Sequence, residues 1–90
     1  MFQLKIHKEA LKNLKKTQKH IWERAFECIT HLRNYGAKDC PYPVKPLQGS
    51  YKSFRYYEAS IQKDYRIFFR FEVDTLFIRK AGTHNELGTG

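Results

Sequence analysis

The stretch RKAGTHNEL, residues 79–87, closes the last apolar run of this 90-residue chain on Gly82, Thr83 and His84. An imidazole with an ordinary pKa of about 6.5 can take up or release a proton near neutral pH. His84 is therefore either a proton-transfer group on a site built by the preceding strands or a polar residue of a surface loop. A second set of residues is patterned along the chain. Lys52, Glu58, Arg66, Arg70 and Arg79 fall on one side of strand-like runs, interleaved with Phe54, Tyr56, Phe68 and Phe77. Guanidinium groups for phosphate and rings for base stacking suit single-stranded nucleic acid. An uncovered antiparallel face needs charges in any case, and strand propensity favours aromatics, so the pattern also fits a plain solvated face. His7, His20 and His31 stand at no ligand spacing, and no phosphate loop, nucleophile elbow or metal motif occurs.

The elements that must position these groups follow from periodicity. FQLKIH alternates Phe2, Leu4 and Ile6 against Gln3, Lys5 and His7, a half-buried strand. KEALKNLKK changes to a helical stripe of Ala10, Leu11 and Leu14 with lysines opposite. TQKHIWERAFECITHLRNYG is the clearest helix, with Ile21, Trp22, Ala25, Phe26, Ile29 and Leu32 on one face. Thr17 is its expected N-cap and Gly36 its C-terminal glycine. AKDCPYPVKPLQGS holds all three prolines and reads as a loop. Three strand-like runs follow, YKSFRYYEASI, DYRIFFRFE and LFIRK, the last two joined by a tight turn at VDT. The order β-α-α-β-β-β predicts an α+β fold, an antiparallel sheet with a two-helix hairpin packed on one face. The covered face would carry Phe2, Leu4, Ile6, Ile61, Ile67, Phe69, Leu76 and Ile78.

Ninety residues make a single domain, 1–90, able to bury about two-thirds of its unfolded surface. Seventeen Lys and Arg against nine Asp and Glu give +8, which points to a polyanion or an acidic protein as partner. Residues 1–38 hold nine of those cations against three acids, a surplus of six. Lys8, Lys12, Lys15, Lys16 and Lys19 are either a ribosomal RNA contact or the solvated face of a helix. Cys28 and Cys40 lack metal-type spacing, and neither a signal peptide nor a long apolar span is present, so a reducing cytoplasm and no membrane are expected.

KPLQGSYKSFR, YEASIQKDYRIFFRF and RKAGTHNEL, in this order, resemble the RelE superfamily of bacterial toxins, and its YafQ-like branch above all. The motifs cover about residues 45–87, and the strand–helix–helix order extends the resemblance over residues 1–36. Such proteins are toxins of type II toxin–antitoxin modules. Most cleave mRNA in the ribosomal A site without metal and are held inactive by an antitoxin wrapped around them. The resemblance thus implies a metal-free endoribonuclease with no cofactor. Its partners would be a cognate acidic antitoxin, in a hetero-oligomer, and mRNA in the A site together with 16S ribosomal RNA.

Metal-free RNA cleavage needs a base for the 2′-OH, cations for the phosphorane and an acid for the departing 5′-oxygen. By resemblance, His84 is the C-terminal active-site histidine and Arg66 the arginine on the scissile phosphate. Asp64 and Glu58 match acidic active-site positions. Strand alternation independently puts Glu58 and Arg66 on the uncovered face. YafQ-like members carry histidines where this chain has Lys45 and Ser60, and the tail NELGTG lacks their aromatic. Lys45 can still clamp phosphate or serve as a base, whereas Ser60 can do neither, a pattern compatible with a weakened or redistributed mechanism. Lys52, Arg55, Arg70, Arg79 and Phe68 are the expected RNA contacts. The competing readings are a ParE-like inhibitor of DNA gyrase on the same fold and a basic RNA-binding module. ParE-like relatives typically lack the C-terminal histidine.

Overall fold

The computed structural model describes residues 1–49 and 54–88. Along the chain run β1 (Gln3–Ile6), α1 (Lys8–Lys16), α2 (Lys19–Tyr35), β2 (Val44–Pro46), β3 (Tyr57–Gln62), β4 (Tyr65–Glu72), β5 (Thr75–Gly82) and α3 (His84–Leu87). The strands form one sheet in the order β1-β5-β4-β3-β2. Two-residue turns at 63–64 and 73–74 make β3, β4 and β5 successive antiparallel neighbours, with Gln62 opposite Tyr65 and Glu72 opposite Thr75. β1 pairs with β5 in parallel, Leu4 opposite Leu76, so the sheet is mixed where a purely antiparallel one is expected. The reason is connectivity: β1 reaches the sheet through two helices, and no hairpin dictates its direction.

The proline-rich segment is likewise more than a loop. Val44–Pro46 adds an antiparallel edge strand to β3, with Lys45 opposite Glu58. Pro46 is tolerated there because an edge strand need not donate along its outer side.

Local chemistry sets the helix ends. His7 caps α1, its Nδ1 accepting from the Glu9 N–H at 3.2 Å, and Lys15 and Lys16 fall in the last turn, where the helix dipole favours cations. Thr17, expected to cap α2, instead ends α1, and Gln18 takes the N-cap position without a side-chain bond. Gly36 ends α2 with φ of 78°, its N–H donating to the Leu32 carbonyl at 2.9 Å.

One core joins helices and sheet. Ala10 and Leu14 of α1 and Ile21, Ala25, Cys28, Ile29 and Leu32 of α2 pack with Ile67, Phe69, Leu76, Ile78 and Ala81. Each fully buried large side chain contributes about 1.5–3 kcal/mol. Trp22 and Phe26, expected on this face, lie exposed as a ring pair 5.8 Å apart. They sit one step round from the stripe 21, 25, 28, 29 and 32, which alone meets the sheet. Leu4, also expected inside, is exposed on the edge strand. No helix among the described residues is long and apolar enough to cross a membrane.

Candidate active site

The sheet face turned away from the helices can be read row by row, because directly paired residues share a face. Lys5, Phe77 and Arg70 make one row. Lys80, Phe68, Glu58 and Lys45 make the next, and Gly82, Arg66 and Ser60 a third. A cation–aromatic ladder follows the first row. Lys5 Nζ lies 5.5 Å from the Phe77 ring centre, and the Arg70 guanidinium 5.8 Å from Phe77 and 5.2 Å from Tyr56. Arg70 also pairs with Glu72 at 3.0 Å.

A diagonal step between the second and third rows brings Glu58 to Arg66, Oε1 to Nε at 2.9 Å, both side chains largely shielded from water. Arg66 Nη1 donates to the Gln62 carbonyl at 3.0 Å, which leaves Nη2 without a partner among the described residues. The guanidinium is thus held on two sides with one nitrogen unpartnered among the described residues, a geometry able to present a fixed cation to a phosphate. Lys45 is exposed on β2, across from Glu58.

The chain then leaves β5 in a way only glycine allows. Gly82 has φ of 153°, and a Cβ there would stand 2.8 Å from the Glu86 Cβ. Thr83 and Glu86 close a capping box: Thr83 Oγ1 accepts from the Glu86 N–H at 3.3 Å, and Glu86 Oε1 accepts from the Thr83 N–H at 2.9 Å. Lys16 Nζ fastens the other Glu86 oxygen at 3.0 Å. Burial alone would raise the Glu86 pKa, but the Thr83 and Lys16 contacts outweigh it and hold the carboxyl below its ordinary range.

His84 therefore stands at the first position of α3. Its N–H donates to Asp64 Oδ1 at 3.3 Å, and its ring Nδ1 lies 3.5 Å from the same oxygen. Asp64 sits in the β3–β4 turn, next to the start of β4. A carboxylate on the Nδ1 side orients the ring and leaves Nε2 to exchange a proton with solvent or substrate. The predicted acids and bases thus form two pairs, Glu58 with Arg66 and Asp64 with His84. The pairs adjoin through the register, since Arg66 faces Gly82, two residues before His84.

The expected RNA contacts fare unequally. Phe68 is 1 % exposed and cannot stack a base. Arg79 has no cross-strand partner, because β5 bulges: Phe68 pairs with Lys80 and Phe69 with Ile78, making Arg79 the extra residue. Lys80 takes the place opposite Phe68 that alternation gives to Arg79, and both residues line a pocket with His7, Glu9 and Asn13. Arg55 is exposed in a turn with φ of 58°. Lys52 lies outside the described residues. Lys80 and Lys5 were not among the expected contacts. Alternation already puts Lys5 opposite Leu4 and Ile6, but no sequence signal announces the bulge that turns Lys80. Among the described residues no three His, Cys, Asp or Glu side chains converge as for a metal ion.

No protein-family model and no curated protein matches the sequence. Solved structures do. The Escherichia coli DinJ–YafQ toxin–antitoxin complex matches at 25 % identity and TM-score 0.76, covering 96 % of this chain and 96 % of that one. The archaeal RelE–RelB complex of Pyrococcus horikoshii matches at 23 % identity and TM-score 0.71, over 91 % and 93 % of the chains. This chain has the fold of the RelE-superfamily toxins. The YoeB–YefM complex of Staphylococcus aureus has the same fold at 15 % identity and TM-score 0.78, over 93 % and 98 %. Within this RelE-like fold, the Glu58–Arg66 ion pair joins β3 to β4, and the Asp64–His84 contact joins the β3–β4 turn to the segment that follows β5.

Proposed function

We propose that this chain is the toxin of a type II toxin–antitoxin module and acts as a ribosome-dependent, metal-free mRNA endoribonuclease. The observation that carries the reading is the adjacency of the two pairs, Glu58–Arg66 at 2.9 Å and Asp64–His84 at 3.5 Å, on a fold whose solved examples are toxins. Arg66, fixed by Glu58 and the Gln62 carbonyl, offers Nη2 to the scissile phosphate and to the charge that builds on it. His84, oriented by Asp64, moves a proton to or from the ribose or leaving oxygen. The 2′-oxygen attacks phosphorus, the 5′-oxygen departs with a proton, and a cyclic phosphate remains. Lys45, opposite Glu58, adds a cation at the β2 side. Arg70, Lys5 and Lys80 extend the positive strip along which RNA lies.

The partner is a cognate acidic antitoxin, as in the complexes that share the fold, covering the same cations and so excluding RNA. Induced expression with mapping of mRNA 5′ ends tests the function. Translation should stop, with cuts in ribosome-bound messages at defined codon positions. Growth arrest with intact mRNA and broken chromosomal DNA would overturn the nuclease reading in favour of a gyrase inhibitor. Absence of arrest would favour a plain RNA-binding module.

A further inference from the structure

Cys28 and Cys40 take no part in the site, yet the fold brings them together. Cys28 lies in α2, fully buried in the core, and Cys40 lies in the segment between α2 and β2, partly exposed. Their Sγ atoms are 3.9 Å apart, and both thiols are free. A disulfide needs an S–S separation of about 2.05 Å, so closure asks one side chain to approach by a little under 2 Å. Cys40 is the residue that can move. It belongs to no helix or strand, and its own backbone N–H makes only a long 3.4 Å bond to Ala37. Access is graded as stepwise exchange requires, with the outer sulfur open to a reagent and the inner one behind it.

We propose that Cys28 and Cys40 form a reversible internal disulfide, a modification site that fastens the α2–β2 connection to the core helix. The oxidant is a small-molecule disulfide such as oxidised glutathione. The Cys40 thiolate attacks one of its sulfurs, forming a mixed disulfide and expelling one glutathione thiolate. Burial holds the Cys28 thiol protonated well above the ordinary thiol range, so Cys28 gives up its proton as its sulfur attacks that of Cys40. This slow second step forms the internal bond and expels the second glutathione thiolate. The two protein thiols give up two electrons and two protons, the oxidant's S–S bond takes the electrons, and the protons pass through water to the leaving thiolates. The bond closes a short loop, since the cysteines are 12 positions apart, and it constrains the unfolded chain more than the folded one. A buried cysteine that merely packs as a small apolar residue would do none of this.

The purified chain, folded and without denaturant, is incubated with oxidised glutathione and followed by intact mass and thiol count. The expected product is a monomer lighter by two hydrogens, without free thiols and restored by dithiothreitol. Its thermal midpoint should exceed that of the reduced chain by on the order of 10 °C. Cys28→Ala should stop at a glutathione adduct on Cys40, and Cys40→Ser should stay unmodified. A stable adduct on Cys40 in the unaltered chain, a disulfide-linked dimer, or an internal bond that lowers the midpoint would each overturn the proposal. The unaltered chain decides the matter by itself should either variant fail to fold.

Discussion

At the scale of single residues, the weight falls on His84 and Arg66. His84 is 46 % exposed in its side chain, and its ring lies 3.5 Å from a still more exposed surface carboxylate, Asp64, so the ring carries little of the fold. His84→Ala is expected to cut cleavage about a hundred- to ten-thousand-fold while leaving the thermal midpoint within a degree or two. A reconstituted translation reaction with 5′-end mapping measures the first, and melting curves the second. His84→Gln, which keeps a hydrogen-bonding group but cannot transfer a proton, should be as inactive. Normal cleavage by either variant would shift the proton role towards Lys45. Arg66→Lys keeps the charge but loses the fork that bonds Glu58 and the Gln62 carbonyl together, and should lose most of the activity. A buried residue adds a pH test that no RNA assay is needed to read. Burial, then the charge of Glu86, pushes the Tyr65 hydroxyl from about 10 up to about 12, against a smaller opposing effect of Thr17. The folded state thus favours the neutral phenol. The stability it contributes is whole below about pH 10 and is lost as the pH rises towards 12. Tyr65→Phe should flatten alkaline unfolding across that window.

At the scale of elements, the least secure piece is α3, a single turn that no isolated peptide would hold. It stands because Gly82 releases the strand, Thr83 and Glu86 cap each other, and Lys16 reaches across from α1. Gly82→Ala puts a Cβ 2.8 Å from the Glu86 Cβ and forces φ of 153° on a residue that disfavours it. The expected cost is about 1–3 kcal/mol, read as a lower melting midpoint and faster hydrogen exchange at residues 84–87. Thr83→Ala should cost about 1 kcal/mol by loss of the cap. Because the Glu86 carboxyl is held low in the folded state, its contribution is present above the ordinary carboxylate range and fades as the pH falls below it. Melting curves in acid should therefore show α3 loosening first, and Glu86→Gln should remove that pH dependence.

At the scale of the whole molecule, the charge of +8 is divided between the lysines of α1 and the strip across the sheet. Association with an acidic antitoxin should weaken steeply with salt, since exposed charges are screened over about 10 Å at 0.1 M. The paired reversal Arg70→Glu and Lys80→Glu should lower antitoxin affinity tenfold or more by calorimetry. The same reversal at Arg79 should matter less, because Arg79 is the residue that the bulge leaves out of register with the strip. Equal losses from both would show that the antitoxin does not follow the strip.

Much of this was written in the chain. The alternation of Ile67, Phe69 and Phe71 against Arg66 and Arg70 settles which side of β4 meets the helices, because side-chain period in a strand is two and one face must be apolar. Gly36 ends α2, and Gly82 opens the turn to His84, because each takes a backbone conformation other residues resist. Motif order pointed to the fold, and the resemblance those motifs carry pointed to Glu58, Asp64, Arg66 and His84 as candidates. Tertiary structure alone decided the rest. The parallel pairing of β1 and the added strand at Val44–Pro46 depend on contacts far apart in sequence, which no local pattern encodes. The bulge at Arg79 reverses the sense of alternation beyond it and brings Lys80 into the row of Phe68 and Glu58. The burial of Phe68, a residue on the side expected to face RNA, depends on what the assembled fold lays over it, and solvent exposure is a property of that assembly and not of the strand.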